Sequence, residues 1–146
     1  IKMQVKIINK SRNPLPNYET AGSAGMDLRA NIDIPIELQP MERMLIPTGL
    51  YIELQPGTEA QVRPRSGLSI KKGLTVINAP GTIDSDYRGE LKIPIINLSQ
   101  ELQTIDPAER IAQMVIARYE TVTLVEVDDI SPSDRGDRGF GSTGHQ

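Results

Sequence analysis

The 146 residues contain no cysteine, no tryptophan, one phenylalanine and one histidine. Without cysteine there is no disulfide scaffold, no thiolate zinc site and no Cys nucleophile, and a lone His145 rules out a multi-histidine metal centre. Aromatics make up 3% of the chain, so the core has to be built from Ile, Leu, Val, Met and Ala. Positive charge is not in excess either. Sixteen Lys plus Arg stand against 19 Asp plus Glu, a net charge of -3 with a pI near 5.2, which argues against a nucleic-acid partner held by a broad basic surface. A small anion needs only a local cluster and stays open. No apolar run approaches the roughly 20 residues that cross a bilayer, and Ile1 to Lys10 has no signal-peptide apolar region, so a soluble cytoplasmic protein with no membrane partner is the expectation.

What is present is a chain that is 38% hydrophobic, enough for one compact domain and too short for two. Twelve glycines and 11 prolines punctuate short apolar stretches instead of gathering in one linker, the pattern of many strands joined by turns. Ile32, Ile34, Ile36 and Leu38 alternate at period two, with Pro35 marking an edge strand; Leu50, Ile52 and Leu54 alternate likewise, as do Leu91, Ile93 and Ile95. Ile111 to Ala117 and Val122 to Val127 add two β-branched runs that read as strands. One short helix is predicted over Ser66 to Lys72, with Ser66 as its cap and Gly73 as its stop. The expected class is all-β, an antiparallel sandwich or jelly roll with one short helix. Residues 1–130 form the β domain. Residues 131–146, glycine-rich and carrying Phe140 as their single large apolar side chain, form a tail expected to be mobile until a ligand orders it.

Four stretches carry residues suited to chemistry, and each has a plain structural reading beside the functional one. Arg65-Ser66-Gly67 at a helix start offers a guanidinium fork, a hydroxyl and backbone N–H groups to a phosphate, or is an ordinary cap with a solvated arginine. The stretch Asn78 to Glu90 is dense in turn formers and reads as a β-hairpin with a polar lip. Within it, Asn78 could read a base edge, Asp84 could deprotonate a water, Tyr87 could pack on a sugar, and Asp84 with Asp86 could hold a divalent metal or be solvated. Alternation from Glu109 through Ile111 and Gln113 to Val115 puts Gln113 among apolar neighbours, where its amide must bond to protein or to a ligand. The tail from Arg135 to Gly144 combines glycines, the hydroxyls of Ser142 and Thr143, and the stacking face of Phe140, without the lysine of a Walker loop. His145 reads as an exposed terminal residue.

Taken together, these stretches resemble the five motifs of the homotrimeric deoxyuridine triphosphate nucleotidohydrolases (dUTPases), in order and over nearly the whole chain. They are Ala24 to Ala30, Arg65 to Ser69, Asn78 with Gly81 to Gly89, Arg110 to Gln113, and Arg135-Gly136 with Gly139 to Gly144. The resemblance implies a jelly-roll (β-clip) subunit and a homotrimer whose three active sites draw on all three chains. It also implies Mg2+-dependent hydrolysis of dUTP to dUMP and pyrophosphate, which limits uracil incorporation into DNA and supplies dUMP for dTMP synthesis. Asp84 would activate the water that attacks the α-phosphorus. Asn78, the backbone at Thr82, Ile83 and Asp84, and the neighbourhood of Lys92 would read uracil and leave no room for thymine's methyl group. Tyr87 under the deoxyribose would penalise a 2'-hydroxyl.

On the same resemblance Arg65, Ser66, Gly67 and Gln113 would hold the phosphates, Arg135, Ser142 and Thr143 would close over their outer end, and Phe140 with Gly141 would cover the uracil. The metal would ride on the phosphates and waters without a direct side-chain ligand, with Asp27 as a second-sphere partner. Two departures stand out: Ala108-Glu109 replaces the usual Gly-Asp before the fourth motif, and Arg138 replaces a small residue in the fifth. The alternatives are a relative of the deoxycytidine triphosphate deaminases, which need a further acid/base Glu and a different second motif, and a non-catalytic trimeric nucleotide-binding module.

Overall fold

The computed structural model describes residues 2–141. Its elements run β1 (Lys6–Asn9), β2 (Met26–Arg29), β3 (Ile36–Leu38), β4 (Arg43–Pro47), β5 (Leu50–Glu53), β6 (Thr58–Arg63), α1 (Ser66–Lys72), β7 (Leu74–Val76), β8 (Gly81–Ile83), β9 (Lys92–Asn97), β10 (Gln103–Ile105) and β11 (Arg110–Arg118). Every pairing among them is antiparallel. The sheets are β2-β11-β6-β8, β4-β9-β7, β1-β5 and β3-β10, the non-consecutive neighbours of a jelly roll. No helix among the described residues is long and apolar enough to cross a membrane.

The core is aliphatic, as the composition requires. Leu28, Leu38, Ile46, Leu74, Leu91, Ile93, Ile95, Ile105 and Ile111 are fully buried, and no aromatic side chain joins them. The alternations at 50–54 and 91–95 face inward as read, with Leu50, Ile52, Leu54, Leu91, Ile93 and Ile95 all buried. Three polar residues go in with them and are satisfied, Thr58 by donating its hydroxyl to the Gln55 carbonyl at 2.6 Å. Asn97 Nδ2 donates to the carbonyls of Leu38 and Glu101 at 2.9 and 2.8 Å, while its Oδ1 accepts from the Ser99 N–H and hydroxyl. Thr48 donates to the Leu91 carbonyl at 2.5 Å and accepts from the Leu50 N–H, so no partner group is stranded away from water.

Helix α1 has the predicted bounds and stops where glycine allows it, with Gly73 in the left-handed region at φ 67° and its N–H bonded to Ser69 O. The predicted cap is corrected. Arg65 occupies the N-cap position in an extended conformation and no side chain caps the helix; Ser66 is already the first helical residue.

Three strand expectations also change. The run from Ile32 shortens to Ile36–Leu38, because Pro35 brings no N–H to a ladder and Ile34 is left exposed; β3 keeps its edge character, pairing with β10 alone. The run Val122 to Val127 forms no strand. Its side chains are exposed, Leu124 at 90%, since β propensity supplies no partner strand by itself. Nor is 78–90 a closed hairpin: β8 pairs with β6 while β9 pairs with β4 and β7, so Asp84 to Leu91 links two sheets.

The turn before β11 shows what the first departure, alanine for glycine, costs. Ala108 sits at φ 64°, a conformation a Cβ makes costly and glycine adopts freely. Ala108→Gly is expected to raise the unfolding free energy by about 0.5–1 kcal/mol, after the extra freedom of glycine in the unfolded chain is subtracted. A urea midpoint that moves up at unchanged slope is the result to look for, and a midpoint that falls contradicts it. Glu109 does the work of an acid here. It accepts from the Asp106 N–H at 2.9 Å and from Lys72 Nζ at 3.1 Å, which fastens α1 to the turn.

Candidate active site

Sheet register assembles the first part of the site. In the row across β2, β11 and β6, Gln113 stands opposite Asp27 on one side and Arg63 on the other, and the chain continues from Arg63 directly to Arg65. Arg65 Nε donates to Asp27 Oδ1 at 3.0 Å, and its Nη1 donates to the Arg110 carbonyl at 3.3 Å. Arg110 closes the group from the other side, with Nε 3.8 Å from Asp27 Oδ2 and Nη2 3.5 Å from Glu19 Oε1. Gln113 Nε2 donates to the Pro64 carbonyl at 3.0 Å. Gly25 packs close beside it: a Cβ there would come within 2.5 Å of Gln113 Oε1, so the amide would have to swing aside.

Asp27 and the half-buried guanidinium of Arg65 thus hold each other in place, while the forked guanidinium keeps further N–H donors for an incoming anion. Ser66 and Gly67, at the exposed first turn of α1, add backbone N–H groups that have no partner within the helix. The cluster thus combines fixed guanidinium groups, two carboxylates and unpaired helix-start N–H groups.

The expected surroundings of Gln113 are corrected by a β-bulge. The register shifts between Arg110 and Ala112, so Ile111 and Ala112 are both buried, Met114 follows them inward, and Gln113 lies on the other face, half-exposed. Its amide is bonded to protein, at the Pro64 carbonyl.

The second part is a groove of about 700 Å³ lined by Thr82, Ile83, Asp84, Tyr87 and Lys92 together with Leu45, Tyr51, Gly89 and Glu90. Its lip is the link between the two sheets. The Tyr87 N–H bonds to Asp84 O at 3.2 Å, and Arg88 Nη1 donates to the carbonyls of Ser85 and Tyr87 at 2.7 and 3.2 Å. The Tyr87 hydroxyl donates to the Glu90 carbonyl at 2.8 Å, which stands the ring up as a wall; a Cβ on Gly89 would collide with that ring. Asp84 is exposed at this lip. Asn78 is exposed as well, its amide nitrogen 3.5 Å from where a Cβ on Gly81 would lie, next to the start of β8.

The two parts are separate within the single chain: none of Arg65, Ser66, Gly67 or Gln113 lines the groove that holds Asp84. Among the described residues the tail joins neither. Arg135 bonds within its own turn and Phe140 is fully exposed, with Gly141 beside it at φ 86°. Ser142, Thr143 and His145 lie outside the described residues.

Asp84 and Asp86 do not form a metal cage with a third ligand: among the described residues no group of three or more His, Cys, Asp or Glu could hold a metal ion. Sequence reasoning missed Glu19, Leu45, Tyr51 and the side chain of Arg110 as participants. Arg110 lies within a motif, but its ion pairs with Asp27 and Glu19 depend on strand register, which no local pattern encodes.

The dUTPase family model matches residues 11–144. The deoxyuridine 5'-triphosphate nucleotidohydrolase of Finegoldia magna is 59% identical over 143 residues, covering 98% of this chain and 100% of its own length. That of Cytophaga hutchinsonii is 61% identical over 140 residues, covering 96% of this chain and 91% of its own. Among solved structures, the dUTPase of Staphylococcus bacteriophage 80alpha with dUpNHpp superposes with a TM-score of 0.84 at 27% identity, over 98% of this chain and 99% of that one.

Proposed function

The chain belongs to the dUTPase family, and from that premise we propose how its residues divide the work of cleaving dUTP. It is an enzyme that hydrolyses dUTP. Asp84 accepts a proton from a water whose oxygen attacks the α-phosphorus; the bond from that phosphorus to the bridging oxygen breaks, giving dUMP and pyrophosphate. Water is a poor nucleophile at neutral pH, and a positioned carboxylate is the ordinary remedy. The observation that carries this assignment is the groove that puts Asp84 beside the β8 backbone and the Tyr87 wall.

The peptide edge at Thr82 and Ile83, with Asn78 and Lys92, reads the uracil, and a ring that fits closely against backbone leaves no room for a 5-methyl group. Tyr87 packs against the deoxyribose. Arg65, Ser66, Gly67 and Gln113 hold the phosphates, with Asp27 and Arg110 orienting Arg65. Arg135, Ser142 and Thr143 close the outer end, and Phe140 and Gly141 cover the base.

Magnesium fits these residues as an ion carried by the substrate. Protein carboxylates do not cluster into a cage among the described residues, and the Asp27 oxygens already face Arg65 and Arg110 at 3.0 and 3.8 Å, which leaves Asp27 a partner through water. When bound to the triphosphate the ion would neutralise charge on the departing pyrophosphate.

A homotrimer with shared active sites accounts for two features of the single chain. The groove and the phosphate cluster are lined by different residues, and Val122, Leu124, Val125, Val127 and Ile130 project into solvent at 57–90% exposure on an arm that pairs with no sheet of its own chain. A solution mass near three times 16.1 kDa is expected, and a mass of one chain contradicts the shared site. With dUTP as substrate, the cytoplasm is the compartment in which the enzyme works.

The test is pyrophosphate release from dUTP, dTTP, UTP and dCTP, with and without Mg2+. Release from dUTP alone, strongest with Mg2+, is expected. Conversion of dCTP to dUTP or dUMP, or binding of dUTP without turnover, overturns the assignment.

A further inference from the structure

The turn from Ser133 to Arg138 is fastened by its own two arginines. Arg135 Nε donates to the carbonyl of Arg138 at 2.7 Å, and Arg138 Nε donates back to the carbonyl of Arg135 at 2.8 Å. Arg138 Nη2 reaches the carbonyl of Asp134 at 2.9 Å, so one edge of its guanidinium grips two successive carbonyls. The Gly136 N–H completes the turn on Ser133, with its own φ at 63°.

These bonds spend one of Arg135's five N–H donors and two of Arg138's, which leaves Arg135 most of its fork for an anion. Charge points the same way. Asp134 and Asp137 each precede one of the arginines, so without Arg138 the turn would carry a net negative charge toward a triphosphate.

We propose that Arg138 is a positioning residue for the dUTP reaction: it holds this turn closed so that Arg135 and the Phe140 segment meet the nucleotide already shaped. It acts through Arg135 and does not itself touch the phosphates. The proposal rests on the dUTPase reading above. A segment shaped in advance gives up less freedom on closing over its ligand, so Arg138 contributes to KM and leaves the chemical step alone.

The experiment uses the full chain as wild type, Arg138→Ala, Arg138→Lys and Arg135→Ala, with steady-state pyrophosphate release from dUTP. It is joined by the 15N–1H resonance of the Arg135 Nε–H in nucleotide-free protein. Arg138→Ala is expected to raise KM by about 3- to 10-fold with kcat within about twofold, and to move the Arg135 Nε–H to the shift and fast exchange of a free arginine. Arg138→Lys is expected not to rescue either readout, because an ammonium restores the charge without a planar edge to bridge two carbonyls.

Full rescue by lysine would make Arg138 a simple charge and overturn the proposal. So would an unchanged KM and Arg135 resonance in Arg138→Ala. A larger loss of kcat/KM for Arg138→Ala than for Arg135→Ala would make Arg138 the phosphate contact and would equally defeat it. If wild type releases no pyrophosphate from dUTP, the functional reading has failed, while the Arg135 resonance still decides whether Arg138 holds the turn.

Discussion

Replacing Asp84 by Asn is expected to lower kcat by roughly 10²- to 10⁴-fold, the usual worth of a positioned general base, while dUpNHpp binds within a few-fold of its wild-type affinity. The substitution removes the proton acceptor and little else. The lip is shaped by the Asp84 carbonyl, which accepts from the Tyr87 N–H, and by Arg88 on the carbonyls of Ser85 and Tyr87; none of these bonds involves the Asp84 carboxylate. Asn is nearly isosteric and uncharged, so the groove with Thr82, Ile83 and Lys92 should keep its form. In free-energy terms the loss is about 3–5 kcal/mol of transition-state stabilisation. Single-turnover kinetics beside calorimetric titration separate the two effects. A variant that turns over within tenfold of wild type removes Asp84 from the mechanism, and one that no longer binds the analogue shows a binding role instead.

The second large effect is expected at Phe140. The side chain is fully exposed, held at φ 53° between Gly139 and Gly141, and contributes nothing to an aliphatic core. Phe140→Ala should therefore leave Tm without nucleotide unchanged to within about one degree, since exposed sites far from special features rarely alter stability. If the ring stacks on uracil, its loss costs about 1–3 kcal/mol, or roughly 5- to 150-fold in kcat/KM. Limited proteolysis of residues 131–141 should also lose its protection by dUpNHpp. A large drop in Tm without nucleotide would place Phe140 in the fold, and unchanged kinetics would remove it from the site.

Much of this architecture was legible in the chain because its signals are local. Gly73 marks the end of α1 by itself, since the left-handed turn it adopts is open to few other residues. The buried faces of β5 and β9 follow from alternation over four to six residues. What was not legible depended on partners distant in sequence. The bulge between Arg110 and Ala112 turns Gln113 to the opposite face from Ile111, and it shows only in the pairing of β11 with β2, more than 80 residues away in the chain. Val122 to Val127 has the composition of a strand and no strand beside it in its own chain. Asp84 to Leu91 has the turn formers of a hairpin, yet its two ends enter different sheets.

The site shows the same division. The five motifs were recognisable as residue strings, whereas the Asp27–Arg65–Arg110–Glu19 chain appears only once β2 lies against β11. That chain also gives Asp27 a definite task. The residue expected as a distant partner of the metal is the carboxylate that fixes the Arg65 guanidinium at 3.0 Å. Ala108 is a smaller instance: as a letter it is only a departure from glycine, and its left-handed φ supplies the physical reason glycine is usual there.

In the proposed mechanism water activated at Asp84 attacks the α-phosphorus of dUTP. Hydrolysis in H2(18)O followed by mass spectrometry of both products tests it most directly. One 18O atom in the phosphate of dUMP and none in pyrophosphate is the expected result; label in the pyrophosphate would place the attack on the β-phosphorus and contradict the mechanism.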